Sequence, residues 1–280
     1  MLSHRVLVAS CIVVAALTAK PALAQPAKPK YGPLGMKFVP LPKATFYMGW
    51  DDGPKRVAAK KTEIKEDFEI AIHTVTQGQW QEVMGNNPSW FSRDGKGKDQ
   101  VKDIKDEDLK HFPVETVSWN DAQEFIKKLN EKETGKGYKY RLPSQAEWEY
   151  ACRGGATTEE ECSYHFYFAK PTNDLSSKEA NCNGNFPFGK ADKGPYLKRT
   201  TKVGSYAPNK VGLYDMHGNV WQWCEDVWEK GAADRVIRGG SWDSDGQNCR
   251  AAIHNKEAPS IRFLNLGFRL ARVPVREQAK

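Results

Sequence analysis

Beyond its first two dozen residues the chain has no apolar run long enough to cross a bilayer, which takes about 20 residues. It has no Cys-x-x-Cys, no HExxH, no His-x3-His-x-Glu iron motif, no Gly-x-Ser-x-Gly elbow and no glycine-rich nucleotide loop. These absences argue against zinc sites, non-haem iron oxidation, serine-hydrolase chemistry and nucleotide-dependent transfer. No internal repeat is present. Lysines and aspartates alternate in stretches such as 93–110, the pattern of a solvated loop. A basic stripe with interleaved aromatics is missing, so a nucleic-acid partner is not expected.

The charge is modest. It is +7 for all 280 residues, and +5 once Arg5 and Lys20 are set aside with the amino-terminal segment. That segment has a basic start at His4 and Arg5, an uncharged apolar run from Val6 to Leu17 and the small-x-small site Ala22-Leu23-Ala24. Residues 1–24 are therefore expected to be a signal peptide, giving an exported protein, periplasmic or extracellular. Leu7 to Cys11 resembles a lipobox but would leave only a stub of hydrophobic region before the cysteine. Residues 25–34 read as a solvated leader, 35–275 as the domain and 276–280 as a tail. Nine tryptophans and 11% aromatics supply a core despite a mean hydropathy of -0.68. Removing Cys11 leaves Cys152, Cys162, Cys182, Cys224 and Cys249, an odd number. One or two disulfides plus a buried thiol are expected in an oxidising compartment.

Three helices announce themselves by their ends. Thr76 with Gln79 forms a capping box, Trp80, Val83 and Met84 supply a buried stripe, and Gly85 stops it. Ser118 opens a second helix, with Ala122, Phe125, Ile126 and Leu129 at helical spacing. Ser144 and Glu147 cap a third, carrying Trp148 and Ala151. Met36 to Met48 reads as an opening strand pair, and Phe68 to His73 as another strand. From residue 156 onward periodicity fades, leaving short strand-like pieces at Val236 to Arg238 and Gly267 to Arg272. Without βαβ alternation, the chain reads as α+β with little regular structure.

Five ordered segments then carry a resemblance. They are Pro113 to Trp119, Tyr140 to Ala151, Gly212 to Trp223, Arg238-Gly239-Gly240-Ser241-Trp242, and Asn265-Leu266-Gly267-Phe268-Arg269, with Val75 to Trp80 before them. In this order they resemble the formylglycine-generating enzyme (sulfatase-modifying factor) family, over about Gly35 to Val273. The resemblance implies an elaborated C-type-lectin-like α+β fold and structural calcium. One family calcium site falls on Asp215, Gly218, Val220 and Gln222, where Asp replaces an Asn and Gln replaces a Glu. All four still offer oxygen to a hard cation, although Asp215 and Asn219 also suit a simple hydrogen-bonded turn. The second falls on Asn181, Cys182, Asp192 and Tyr196.

The family's chemistry resembles a copper-dependent oxidation by O2 at two cysteines shortly after Arg-Gly-Gly-Ser, because cuprous copper wants soft thiolates. Here Ser244 stands at the first cysteine, the stretch is a few residues shorter and nothing replaces the second. Copper is therefore not expected. Ser241 and Trp221 match residues beside the family's substrate cleft, and Asp243, Asp245 and His217 are candidates to converge on it. Three functions remain: a divergent enzyme acting on or binding an exported peptide, protein or small molecule; a non-catalytic lectin-like binding module; or a sulfatase activator with an altered site, which needs a thiol close to Ser241 and has Cys249 as its sole candidate.

Overall fold

A computed structural model describes residues 28–49 and 59–275; the expected signal peptide and the tail lie outside the described residues. The fold is mixed α+β. One antiparallel sheet runs in the order Lys30–Tyr31, Lys37–Leu41, Phe68–Ala71, Ala271–Pro274, Tyr138–Arg141. A second runs His254–Glu257, Arg235–Arg238, Trp221–Val227, Leu266–Phe268, its last pair parallel. Phe68–Ala71 is buried at all four positions, as a strand covered on both faces must be.

The predicted caps at Thr76/Gln79 and Ser144/Glu147 form as capping boxes, and the helix start expected at Ser118 proves to be a third, closed by Asp121. Each satisfies two amide hydrogens that a helix start leaves without partners. The helix Trp119–Lys132 buries Ala122, Phe125, Ile126 and Leu129, the stripe its spacing predicted. Phe125 stacks on Trp80 of the helix Gln77–Met84, centroids 5.4 Å apart, and both meet Phe268 edge-on. Burying an aromatic or leucine side chain contributes about 1.5–3 kcal/mol, so this knot fixes two helices on the second sheet.

Long-range pairing reshapes four local expectations. Lys37–Leu41 and Ala44–Met48 do not pair with each other; the first joins Phe68–Ala71 and the second joins Lys60–Ile64. The run from Gly267 to Arg272 breaks at Arg269 and Leu270 into two strands of different sheets. Residues 92–112 fold over a small core of Phe91, Val101, Leu109 and Phe112 packed against Trp242. Within 25–34, Lys30–Tyr31 adds a sheet edge, and the Tyr31 carbonyl accepts from Arg272 at 3.3 Å.

The five cysteines are buried and unpaired. Cys152, Cys162 and Cys224 sit in one core cluster, Cys182 and Cys249 in another. The core also holds full charges. Glu149 of the helix Gln145–Cys152 accepts from Arg153 at 2.7 Å and from Arg238, and all three are essentially inaccessible. Flanking guanidinium groups compensate the burial and keep the Glu149 carboxyl below its ordinary range.

Candidate functional site

The second sheet builds a cleft across one face, with lining residues from all four of its strands. Leu266 pairs in register with Trp221, so both side chains contribute to one floor. Gly267 between them is required by a close approach: a Cβ there would lie 2.4 Å from the Val114 carbonyl oxygen. Ile237, Phe263 and Leu264 complete the apolar lining of a cavity of about 280 Å³, and Asp243, Asn255, Glu257 and Asn265 supply its polar groups. Phe263 is 43% exposed at the rim, open to a visiting surface.

Ser241 follows Gly239 and Gly240, both at positive φ, which turn the chain out of Arg235–Arg238 and toward the cleft. The Ser241 hydroxyl donates to Asp243 Oδ1 at 2.6 Å and lies 2.9 Å from the Ser244 hydroxyl. Asn265 Nδ2 donates to both oxygens of the same carboxylate, at 3.0 and 3.2 Å. Thus Asp243, exposed at the cleft, is oriented by residues of two separate loops. Asn265, Phe263, Asn255 and Glu257 were not predicted as site residues; Asn265 begins a recognisable motif, which was the available signal.

Two predicted members stand elsewhere. Asp245 caps the short helix Gly246–Cys249 by accepting from the Asn248 amide at 3.0 Å. His217 is buried on the other side of the turn, because Gly218 at φ +87 reverses the chain between it and Trp221. Its Nε2 accepts from the Tyr167 amide at 2.9 Å, leaving Nδ1 to donate to the Cys249 carbonyl at 2.7 Å. Burial pushes its pKa down to about 4, so the ring is neutral and committed.

No cysteine lines the cleft among the described residues. Cys249 is fully buried beneath Gly240, beside Cys182, and its thiol is raised well above the usual range, most by the Cys182 hydrogen bond and by burial. Ser241 and Ser244 bring only hydroxyls. This donor set does not fit cuprous copper, which wants thiolates.

The calcium positions can be tested in the same way. Gln222 Oε1 already accepts from Trp148 Nε1 at 2.8 Å and Arg269 Nε at 2.6 Å, and its Nε2 donates to the Asp215 carbonyl at 2.9 Å. An amide oxygen with two donors has no lone pair left for a cation. Asp215 Oδ2 accepts from the Gly204 amide at 2.9 Å, and burial lifts its carboxyl to about 6. The Gly218 carbonyl accepts from the Val220 amide at 3.0 Å. As folded, the Gln222 amide oxygen, one Asp215 carboxylate oxygen and the Gly218 carbonyl are engaged by protein hydrogen bonds, and Gln222 does not fit as a cation ligand. At the second set, Asn181 Nδ2 donates to the Arg199 carbonyl and to Asn219 Oδ1, Cys182 is buried, Asp192 is exposed and Tyr196 stacks on Trp242. Asn219, also holding Thr201, acts as the tie of a hydrogen-bonded turn.

Fold and cleft together define an α+β scaffold in which an apolar floor is edged by a fixed carboxylate. A profile of the sulfatase-modifying factor enzyme 1-like domain matches residues 26–274, and the chain belongs to that family. It is 28% identical to the formylglycine-generating enzyme of Mus musculus, over 84% of this chain and 74% of that one. It is 37% identical to the inactive C-alpha-formylglycine-generating enzyme 2 of Bos taurus, over 57% of this chain and 50% of that one. Among solved structures it resembles Treponema denticola variable protein 1, with TM-score 0.66 and 25% identity, covering 87% of this chain and 98% of that one. No helix among the described residues is long and apolar enough to cross a membrane.

Proposed function

We propose that this is an exported, non-catalytic member of the family, a lectin-like module whose cleft binds a peptide segment or small molecule presenting hydrogen-bond donors or positive charge. The observation that carries the reading is the Ser241–Asp243–Asn265 cluster beside Trp221. It fixes an exposed carboxylate over an apolar floor and brings no thiol, histidine or lysine to the same space. Convergent polar groups on an apolar concavity suit recognition, while nothing in the lining offers an activated nucleophile. The name of the bovine relative, an inactive enzyme, agrees with this reading. Export is supported by the basic start, apolar run and Ala-x-Ala site of residues 1–24.

The test is calorimetry with two synthetic peptides, Cys-x-Pro-x-Arg and Ser-x-Pro-x-Arg. Equal binding of both, lost in Asp243→Ala, is expected, because the arginine would meet the carboxylates and the thiol would meet nothing. Binding that requires the cysteine would overturn the proposal.

A further inference from the structure

Two backbone hydrogen bonds lay the segment 180–186 along the loop that carries Ser241 and Asp243. The Asn183 amide donates to the Ser244 carbonyl at 2.8 Å, and the Gly246 amide donates to the Phe186 carbonyl at 2.8 Å. This stitching brings Cys182 and Cys249 into one small core with Phe166, Leu175 and Ala180. There the two thiols share a hydrogen bond. Cys249 is wholly buried and Cys182 is 1% exposed. Sulfurs in hydrogen-bonding contact are within about 2 Å of the bonded separation, itself about 2.05 Å.

The other three thiols are turned to different partners. Cys152 Sγ lies 3.6 Å from His217 Nε2, and the far nitrogen of that ring reaches the Cys249 carbonyl at 2.7 Å. An imidazole therefore stands between Cys152 and the Cys249 backbone. Cys162 Sγ faces the Ala156 carbonyl at 3.6 Å, and Cys224 Sγ faces the Gln222 carbonyl at 4.0 Å. Among the described cysteines, Cys182 and Cys249 are the pair placed sulfur to sulfur.

We propose that Cys182 and Cys249 form a disulfide in the exported protein, a covalent anchor between the 180–186 segment and the loop of Ser241 and Asp243. Two S–H bonds break and one S–S bond forms. The two protons and two electrons pass to a small-molecule disulfide, which leaves as two thiols by way of a mixed disulfide. The folded pair is out of reach of solvent, so this exchange precedes closure of the core. One bond and three buried thiols account for the odd count that an oxidising compartment leaves unexplained. Formation in the cell rests on export; formation in a redox buffer does not, and neither depends on what the Trp221 cleft binds.

The purified protein is held near its urea midpoint in mixed reduced and oxidised glutathione, so that the pair opens and recloses. It is then returned to buffer, alkylated and digested with trypsin without reduction. Peptides 179–190 and 239–250, which carry Cys182 and Cys249, should be recovered linked to each other. The oxidised protein should melt about 5–15 °C above the same protein kept in reductant, the scale for closing so long a loop. Cys182→Ala should melt at one temperature with and without reductant. Recovery of the two peptides separately with both cysteines alkylated, linkage of either to another cysteine, or a reductant effect that persists in Cys182→Ala overturns the proposal.

Discussion

The Ser241 hydroxyl, on a fully buried residue, points at Asp243, 2.6 Å from its Oδ1. A serine that donates to a carboxylate already held by Asn265 is a positioning group. Ser241→Ala should therefore weaken cleft binding of the arginine peptide a few-fold, and Asp243→Ala should weaken it about tenfold or more, the scale of a lost charge-assisted contact. Asp243→Ala should melt within a few degrees of the natural chain, because Asp243 is exposed. Calorimetric titration with parallel thermal melts checks both halves.

Glu149 is the fold's least replaceable charge. Glu149→Gln leaves Arg153 and Arg238 buried with one compensating carboxylate removed. Breaking such a buried pair costs about 3–5 kcal/mol. Urea unfolding should show this loss, with cleft binding preserved wherever the variant stays folded.

Much of the helical half was legible, for local reasons. Thr76, Ser118 and Ser144 cap with partners three residues away, and Phe125 and Leu129 repeat at the period of their own helix. The strands were less so, because Lys37–Leu41 takes its partner from residues 68–71 and Leu266–Phe268 takes its partner from 221–223. Neither pairing leaves a mark nearby in sequence. In the site, the motif placed Trp221 and Ser241, and proximity along the chain placed Asp243. Proximity misled for His217 and Asp245, since a positive-φ glycine and a helix cap direct those side chains elsewhere.

His217 should make stability pH-dependent. Its folded pKa, lowered to about 4 by burial, lies below the unfolded value near 6.5. The unfolded chain therefore takes up the proton first, and His217's contribution, complete above pH 6.5, is lost as pH falls through 6.5 to 4. The size is about 3 kcal/mol. Asp215, raised to about 6 by burial, acts oppositely, favouring the fold at low pH and losing that contribution as pH rises from about 4 to 6. Comparing His217→Gln with the natural chain isolates the histidine. The stability difference between them should narrow as pH falls across that window, and a constant difference would contradict the assignment.

Gln222 has both lone pairs engaged by Trp148 and Arg269, so chelator and added calcium should leave the melting temperature unchanged. Gln222→Glu supplies a second carboxylate beside Asp215 and should lower stability in chelator, with calcium restoring part of the loss. Scanning calorimetry in matched buffers reads both. A calcium-dependent melt in the natural chain would show that the ion displaces those hydrogen bonds.

The central claim is that this fold binds at its cleft without oxidising a thiol there. The direct measurement is mass spectrometry of a Cys-x-Pro-x-Arg peptide incubated with the purified protein, cuprous copper and O2. The account predicts an unchanged peptide mass together with calorimetric binding that Asp243→Ala removes. Appearance of the aldehyde product, abolished by Cys249→Ser, would contradict it and make the buried thiol under Ser241 a working group.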